Sequence, residues 1–97
     1  MRAVVGLGNP GPEYALTRHN LGFWVADRLR FKGRWRGVLY HWGEVFLQGD
    51  RVILKPLTYM NRSGEAVREL ISLYPLGPAD LILVHDDVDL PVGVVRL

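Results

Sequence analysis

The sequence predicts an α/β fold: a single domain built on a mixed, mostly parallel sheet flanked by helices. Three observations carry that prediction. Short apolar runs ended by Gly or Pro recur along the 97 residues and have strand character. Two stretches between them switch to helical spacing. The resulting order, strand–helix–hairpin–helix–strand, requires a parallel crossover.

Residues 2–7 form a mostly β-branched run ended by glycine, suited to a buried strand. From about residue 19 to 30, Leu21, Trp24, Val25 and Leu29 fall on one face of a helix, and Gly33 and Gly37 then break the chain. Residues 38–47 and 52–57 read as two strands joined at Gly49-Asp50, a hairpin turn signal. Thr58 to Asn61 leads into a second helix. There Val67, Leu70, Ile71 and Tyr74 repeat at helical spacing until Pro75, Gly77 and Pro78 stop it. Leu81-Ile82-Leu83-Val84 is the most apolar run and reads as a central strand buried on both faces. Val92 to Leu97 begins another strand.

The topology gathers chemistry that is scattered in sequence. A crossover makes 52–57 and 81–84 parallel, and an antiparallel 38–47 lets strand 2–7 point the same way. The carboxyl ends of these three strands then share one sheet edge, where open α/β folds bind ligands. Asn9, His19, Met60, Asn61, His85 and Asp86 all fall at that edge.

Composition excludes several classes. With 48% hydrophobic and 23% charged residues, the chain is an ordinary globular domain spanning 1–97. It has no cysteine, so neither disulfides nor thiolate metal sites arise. No run approaches the roughly 18 apolar residues of a membrane span. The strand pattern starts at residue 2, leaving no room for a signal peptide, so the expected compartment is the cytoplasm. A net charge of +2 is too small to choose a partner.

Residues 6–11, Gly-Leu-Gly-Asn-Pro-Gly, match a dinucleotide fingerprint as a string. Pro10 and Pro12 remove two N–H donors from the loop that would cradle a pyrophosphate. The acidic residue expected about 20 positions on is replaced by Arg28-Leu29-Arg30-Phe31-Lys32.

Four separated blocks carry a resemblance. They are Val5 to Gly11; Tyr14 with Thr17-Arg18-His19-Asn20 and Gly22; Pro56 to Asn61 with Ser63-Gly64; and His85-Asp86 with Asp89-Leu90-Pro91 and Gly93. In this order they resemble bacterial peptidyl-tRNA hydrolase, a cytoplasmic esterase that recycles tRNA. The resemblance implies a phosphorylase/hydrolase-like sheet, and it runs the length of the chain while covering about half of a family member. It implies His19 as general base on water and Asp86 as the acceptor that orients it. Asn9 and Asn61 would position substrate and water, and Tyr14 and Met60 would line the groove for the terminal nucleotide and peptide. It implies peptidyl-tRNA as partner, no metal, no cofactor, no membrane, and a monomeric full-length enzyme. Family members continue beyond the equivalent of Leu97 into a glycine-rich segment with a His-Asn-Gly triplet and a lid. Their absence here puts activity in question and makes self-association an expectation for the short form.

Other readings stand beside this one. Asn9 suits a turn, Asn61 a helix cap, and His19 a helix start without chemistry. His41, between Tyr40 and Trp42 in a strand pattern, is explained by packing. His85-Asp86-Asp87-Val88-Asp89 has the donor set of a hard-metal site. Arg28, Arg30, Lys32, Arg34 and Arg36 alternate with Phe31 and Trp35. That run reads either as an RNA phosphate contact or as cations at a helix C-terminus followed by a solvated loop. A non-catalytic RNA-binding relative, an interaction fragment pairing through its sheet edge and a nucleotide-binding module are the competing functions, in that order.

Overall fold

In a computed structural model, residues 1–9, 20–59, 62–85 and 94–96 are described, the backbone alone at 85 and 94–96. The chain forms β1 (Arg2–Gly6), α1 (Leu21–Phe31), β2 (Arg36–Tyr40), β3 (Gly43–Gln48), β4 (Arg51–Pro56), α2 (Ser63–Leu73), β5 (Leu81–His85) and β6 (Val94–Arg96). The strands make one sheet in the order β2-β3-β4-β1-β5-β6. β1 is flanked in parallel by β4 and β5, with Ala3 in register with Val52 on one side and Leu81 on the other. β6 extends the parallel part, whereas β2, β3 and β4 form an antiparallel meander. The sheet is therefore mixed and mostly parallel, and the carboxyl ends of β1, β4 and β5 emerge together.

Alternation along the strands divides the apolar side chains between two layers. Ala3, Val5, Val45, Val52 and Leu54 meet Ala66 and Leu70 of α2 in the larger core. Phe46 and Ile53 point the other way and pack with Ala26 of α1, with Trp35 against them. Lys55 ties α1 to β4: its ammonium lies 2.9 Å from Asp27 Oδ1 and 4.9 Å from the centroid of the Phe23 ring. Across the sheet, the hydroxyls of Tyr40 in β2 and Tyr74 beyond α2 meet at 2.9 Å.

Several details depart from the sequence expectations. The single strand expected over 38–47 is two strands, because Tyr40 pairs with Gly43 across a turn at His41-Trp42. His41 is thus exposed in a turn, while Trp42 is 4% exposed and stacks on Tyr40 at 4.5 Å. The turn at Gly49-Asp50 forms as expected, with Gly49 at φ 60. Helix α1 buries Gly22, Phe23 and Ala26, leaving Trp24 and Leu29 at 43% and 38% exposure. The reason is proximity. A Cβ on Gly22 would strike the Leu7 backbone and the Val84 carbonyl, and one on Gly6 would strike the Gly22 carbonyl. A helix lying this close to a strand buries its small residues and pushes large ones to the flanks. Helix α2 behaves similarly: Leu70 is buried, Val67 half-buried and Ile71 exposed, with Ser63 and Ala66 completing the inward stripe. β5 is internal to the sheet, but Ile82 on its α1 face is 43% exposed, so that face is only partly covered.

Candidate active site

Three strand exits build the site. At the first, β1 and β5 stay bonded past the end of β1 through Leu7 N–H to the Val84 carbonyl, 2.9 Å. Gly8 follows, where a Cβ would meet the Phe23 ring and Asn20 Oδ1. Asn9 is then gripped at both backbone poles. Its N–H donates to Asn20 Oδ1 at 2.7 Å, and its carbonyl accepts from Asn20 Nδ2 at 3.0 Å. Asn20 is 3% exposed, and its side chain makes no cap bond to α1 although it occupies the cap position. The partners also fix the amide's orientation, because a backbone N–H only donates and a carbonyl only accepts.

This geometry explains the glycine string. Gly6 and Gly8 admit α1 and Asn20 against the strand exit, and the Asn9 N–H is already satisfied by Asn20 rather than presented to a phosphate. The packing requirement therefore accounts for the part of the fingerprint that is described.

At the second exit, β4 leaves the sheet with Leu57 N–H bonded to the Trp42 carbonyl at 2.9 Å. Tyr59 follows at φ 63, a left-handed conformation uncommon for a bulky residue and often found beside functional positions. Its carbonyl accepts from Arg62 N–H at 3.0 Å and from Ser63 Oγ at 3.4 Å, and Thr58 Oγ1 donates to the Arg62 carbonyl at 3.0 Å. These bonds turn the chain into α2, whose cap position is Arg62. The capping reading of Asn61 is thereby displaced by one residue. Beside this loop, His41, Trp42, Thr58, Glu65, Arg68 and Glu69 line a cavity of ≈ 290 Å³. Its acid–base side chains escaped the sequence reading because His41 was assigned to a strand interior. The third exit is His85 at the end of β5.

Of the expected site residues, Asn9 is described, in the clamp above. Tyr14, His19, Met60, Asn61 and Asp86 lie outside the described residues, as does the acidic run 86–89 of the metal reading. Their described chain neighbours, Asn20, Tyr59, Arg62 and His85, belong to the same edge of the fold. Sequence reasoning missed the role of Asn20. The available signal was a polar residue directly before the apolar helix, ordinarily read as a cap.

The pattern of the family described as peptidyl-tRNA hydrolase matches residues 3–97. The chain belongs to the peptidyl-tRNA hydrolase family. A peptidyl-tRNA hydrolase of Synechococcus sp. (strain JA-3-3Ab) is 51% identical over 110 aligned positions, covering 100% of this chain and 46% of that protein. One from Bacillus cytotoxicus is 50% identical, covering 100% of this chain and 55% of its own length. The crystal structure of peptidyl-tRNA hydrolase from Acinetobacter baumannii superposes with a TM-score of 0.82 at 36% identity, over 93% of this chain and 49% of that one. The chain thus spans about half the length of the peptidyl-tRNA hydrolases it matches. Within that span the peptidyl-tRNA hydrolase fold is present, including the exits of β1, β4 and β5.

Proposed function

We propose that the chain supplies the base-bearing part of a hydrolytic site for the ester between a peptide and the 3′ ribose of tRNA. Residues 1–97 would form one portion of a single hydrolase domain acting in the cytoplasm. The observation that supports this most directly is the clamp on Asn9. It fixes the backbone of a candidate substrate-positioning residue against Asn20, the chain neighbour of His19. Family membership supplies the ester chemistry.

In the reaction, His19 removes a proton from water as the oxygen attacks the ester carbonyl carbon. Asp86 accepts the second imidazole N–H, fixing the tautomer and favouring the imidazolium. Asn9 and Asn61 offer neutral amides to the carbonyl and the water, stabilising the developing oxyanion without adding a net charge. Collapse of the tetrahedral intermediate breaks the bond to the ribose oxygen, which takes the proton back from His19. Tyr14 and Met60 flank the terminal nucleotide and peptide. Among the described residues no helix is long and apolar enough to cross a membrane, and no group of three potential metal-ligating side chains occurs.

A base of this kind makes the rate rise with pH through the imidazole range, near 6.5 for an unperturbed side chain, and then level off. Release of N-acylated amino acid from charged tRNA across that range tests the reading. A rate independent of pH through the imidazole range, or one unchanged by Asp86→Asn, would contradict it.

A further inference from the structure

The sheet has a second end, and its chemistry is different. The strand register places Arg36 in one row with Leu47, Val52, Ala3 and Leu81, at the amino ends of the parallel strands. Arg2 and Arg51 pair at the same end. Arg28, Arg30, Lys32 and Arg34 reach it through the last turn of α1 and the link to β2. Among the described residues the carboxylates nearby are Asp27, beside Arg30 on α1, Asp50, in the β3–β4 turn, and Asp80, which accepts the Gly77 N–H at 2.8 Å. This end of the sheet therefore carries, among the described residues, an excess of cations, which the small net charge of the chain does not reveal.

Two of these cations, Arg30 and Arg34, line a groove of ≈ 470 Å³ together with Phe31, Trp35, Gly37 and Phe46. The Phe31 ring is 74% exposed, and Trp35 is half-buried. The Arg30 guanidinium carbon lies 4.9 Å from the Phe31 centroid and 4.6 Å from that of Phe46. Its Nε is buried without a hydrogen bond, and Asp27 Oδ1 stands 3.8 Å away. Flat π faces interleaved with guanidiniums match a strand that presents bases and phosphates alternately. Stacking supplies base-tolerant affinity, and the cations supply the phosphate term. A solvated loop has no need of a large ring held open beside a cleft.

We propose that this groove is an RNA contact, separate from the ester site and engaging a part of the RNA other than its acylated end. It rests on the reading of the substrate as an aminoacylated RNA. The two ends of the sheet are about one strand apart, roughly 16 Å for five residues. One RNA molecule thus spans both, with the ester at the carboxyl edge and the sugar–phosphate backbone on the amino end.

The test is binding of fluorescent single-stranded RNA and of uncharged tRNA to the 97-residue chain over a salt series. Arg34 lines the groove and is exposed, so Arg34→Ala leaves the fold intact. Removing one phosphate contact makes the log–log salt slope shallower by about 0.7–0.9. Phe31→Ala weakens binding roughly tenfold while leaving that slope unchanged. An unaltered slope in the Arg34 variant, or no loss with Phe31→Ala, overturns the proposal. So does binding of polyglutamate or anionic vesicles as tight as that of RNA. Hydrolysis of a short acyl-aminoacyl-nucleoside ester, read in parallel, is unchanged by Arg34→Ala. If that ester is not cleaved while RNA binding behaves as described, the ester reading fails and the groove stands.

Discussion

Asn20 is the residue on which the described part of the site turns. A single buried amide satisfies both backbone poles of Asn9, eleven positions away, so two points of the chain are fixed by one side chain. Asn20→Ala leaves the Asn9 N–H and carbonyl without these partners, at a cost of about 1–3 kcal/mol in unfolding free energy. Asn20→Asp keeps an acceptor for the N–H but sets a buried carboxylate oxygen against the Asn9 carbonyl, so it costs at least as much as Ala. Denaturant titration gives the stabilities, and hydrogen exchange at the Asn9 amide reports the bond itself. Unchanged exchange in the Ala variant would show that the clamp does not hold Asn9 in solution.

The elements that frame this site depend on close approach, and the same substitution is expected to act with opposite sign at two glycines. Gly22→Ala drives a methyl into the Leu7 backbone and the Val84 carbonyl, separating α1 from β1 at a cost of roughly 1–3 kcal/mol or more. Gly64, on the exposed side of α2, has nothing within 4 Å of a built Cβ, so Gly64→Ala stabilises by up to about 1 kcal/mol. Thermal unfolding of the two variants separates these outcomes, and equal shifts would refute the packing account.

The Tyr40–Tyr74 bond pins edge strand β2 to the end of α2. Burial, and then the hydrogen bond to Tyr40, push the Tyr74 pKa from 10.0 up to about 12. The folded state holds this proton more tightly than the unfolded chain does. The stabilisation is complete below pH 10 and is lost as pH rises toward 12. Tyr74→Phe should flatten that alkaline limb, measured as unfolding free energy against pH. A limb of the same slope in the variant would assign it to other groups.

Much of this architecture was legible in the sequence, for definable reasons. Strand identity and the parallel crossover followed from apolar runs bounded by Gly and Pro. The gathering of the carboxyl ends of β1, β4 and β5 at one sheet edge followed from that topology. The helix faces were misread because burial near a strand favours Gly, Ala and Ser, which carry little hydrophobic signal beside Trp24 or Ile71. The His41-Trp42 turn was missed because aromatic residues on either side imitate a continuous strand. Asn20 was hidden because its partner lies eleven residues back in the chain, and no local rule predicts such a bond.

At the scale of the whole molecule, the sheet has two unlike ends and one partly covered face. Val4, Leu29, Trp35 and Ile82 line a mainly apolar cavity of ≈ 340 Å³ on the α1 side, together with Arg2 and Arg51, and Ile82 is 43% exposed. A surface of this kind favours association. The average mass in sedimentation should therefore rise with concentration, and Ile82→Lys should suppress the rise. A wild-type chain that stays monomeric throughout would contradict this reading of the face.

The most direct test of the account is release of N-acylated amino acid from charged tRNA by the 97-residue chain, with His19→Ala measured alongside. The account predicts that turnover, where the wild-type chain shows it, falls on the order of 10²–10⁴-fold in a folded His19→Ala variant. A folded wild-type chain without turnover needs the remaining half of the related hydrolases. A folded His19→Ala chain that keeps the wild-type turnover would contradict the account.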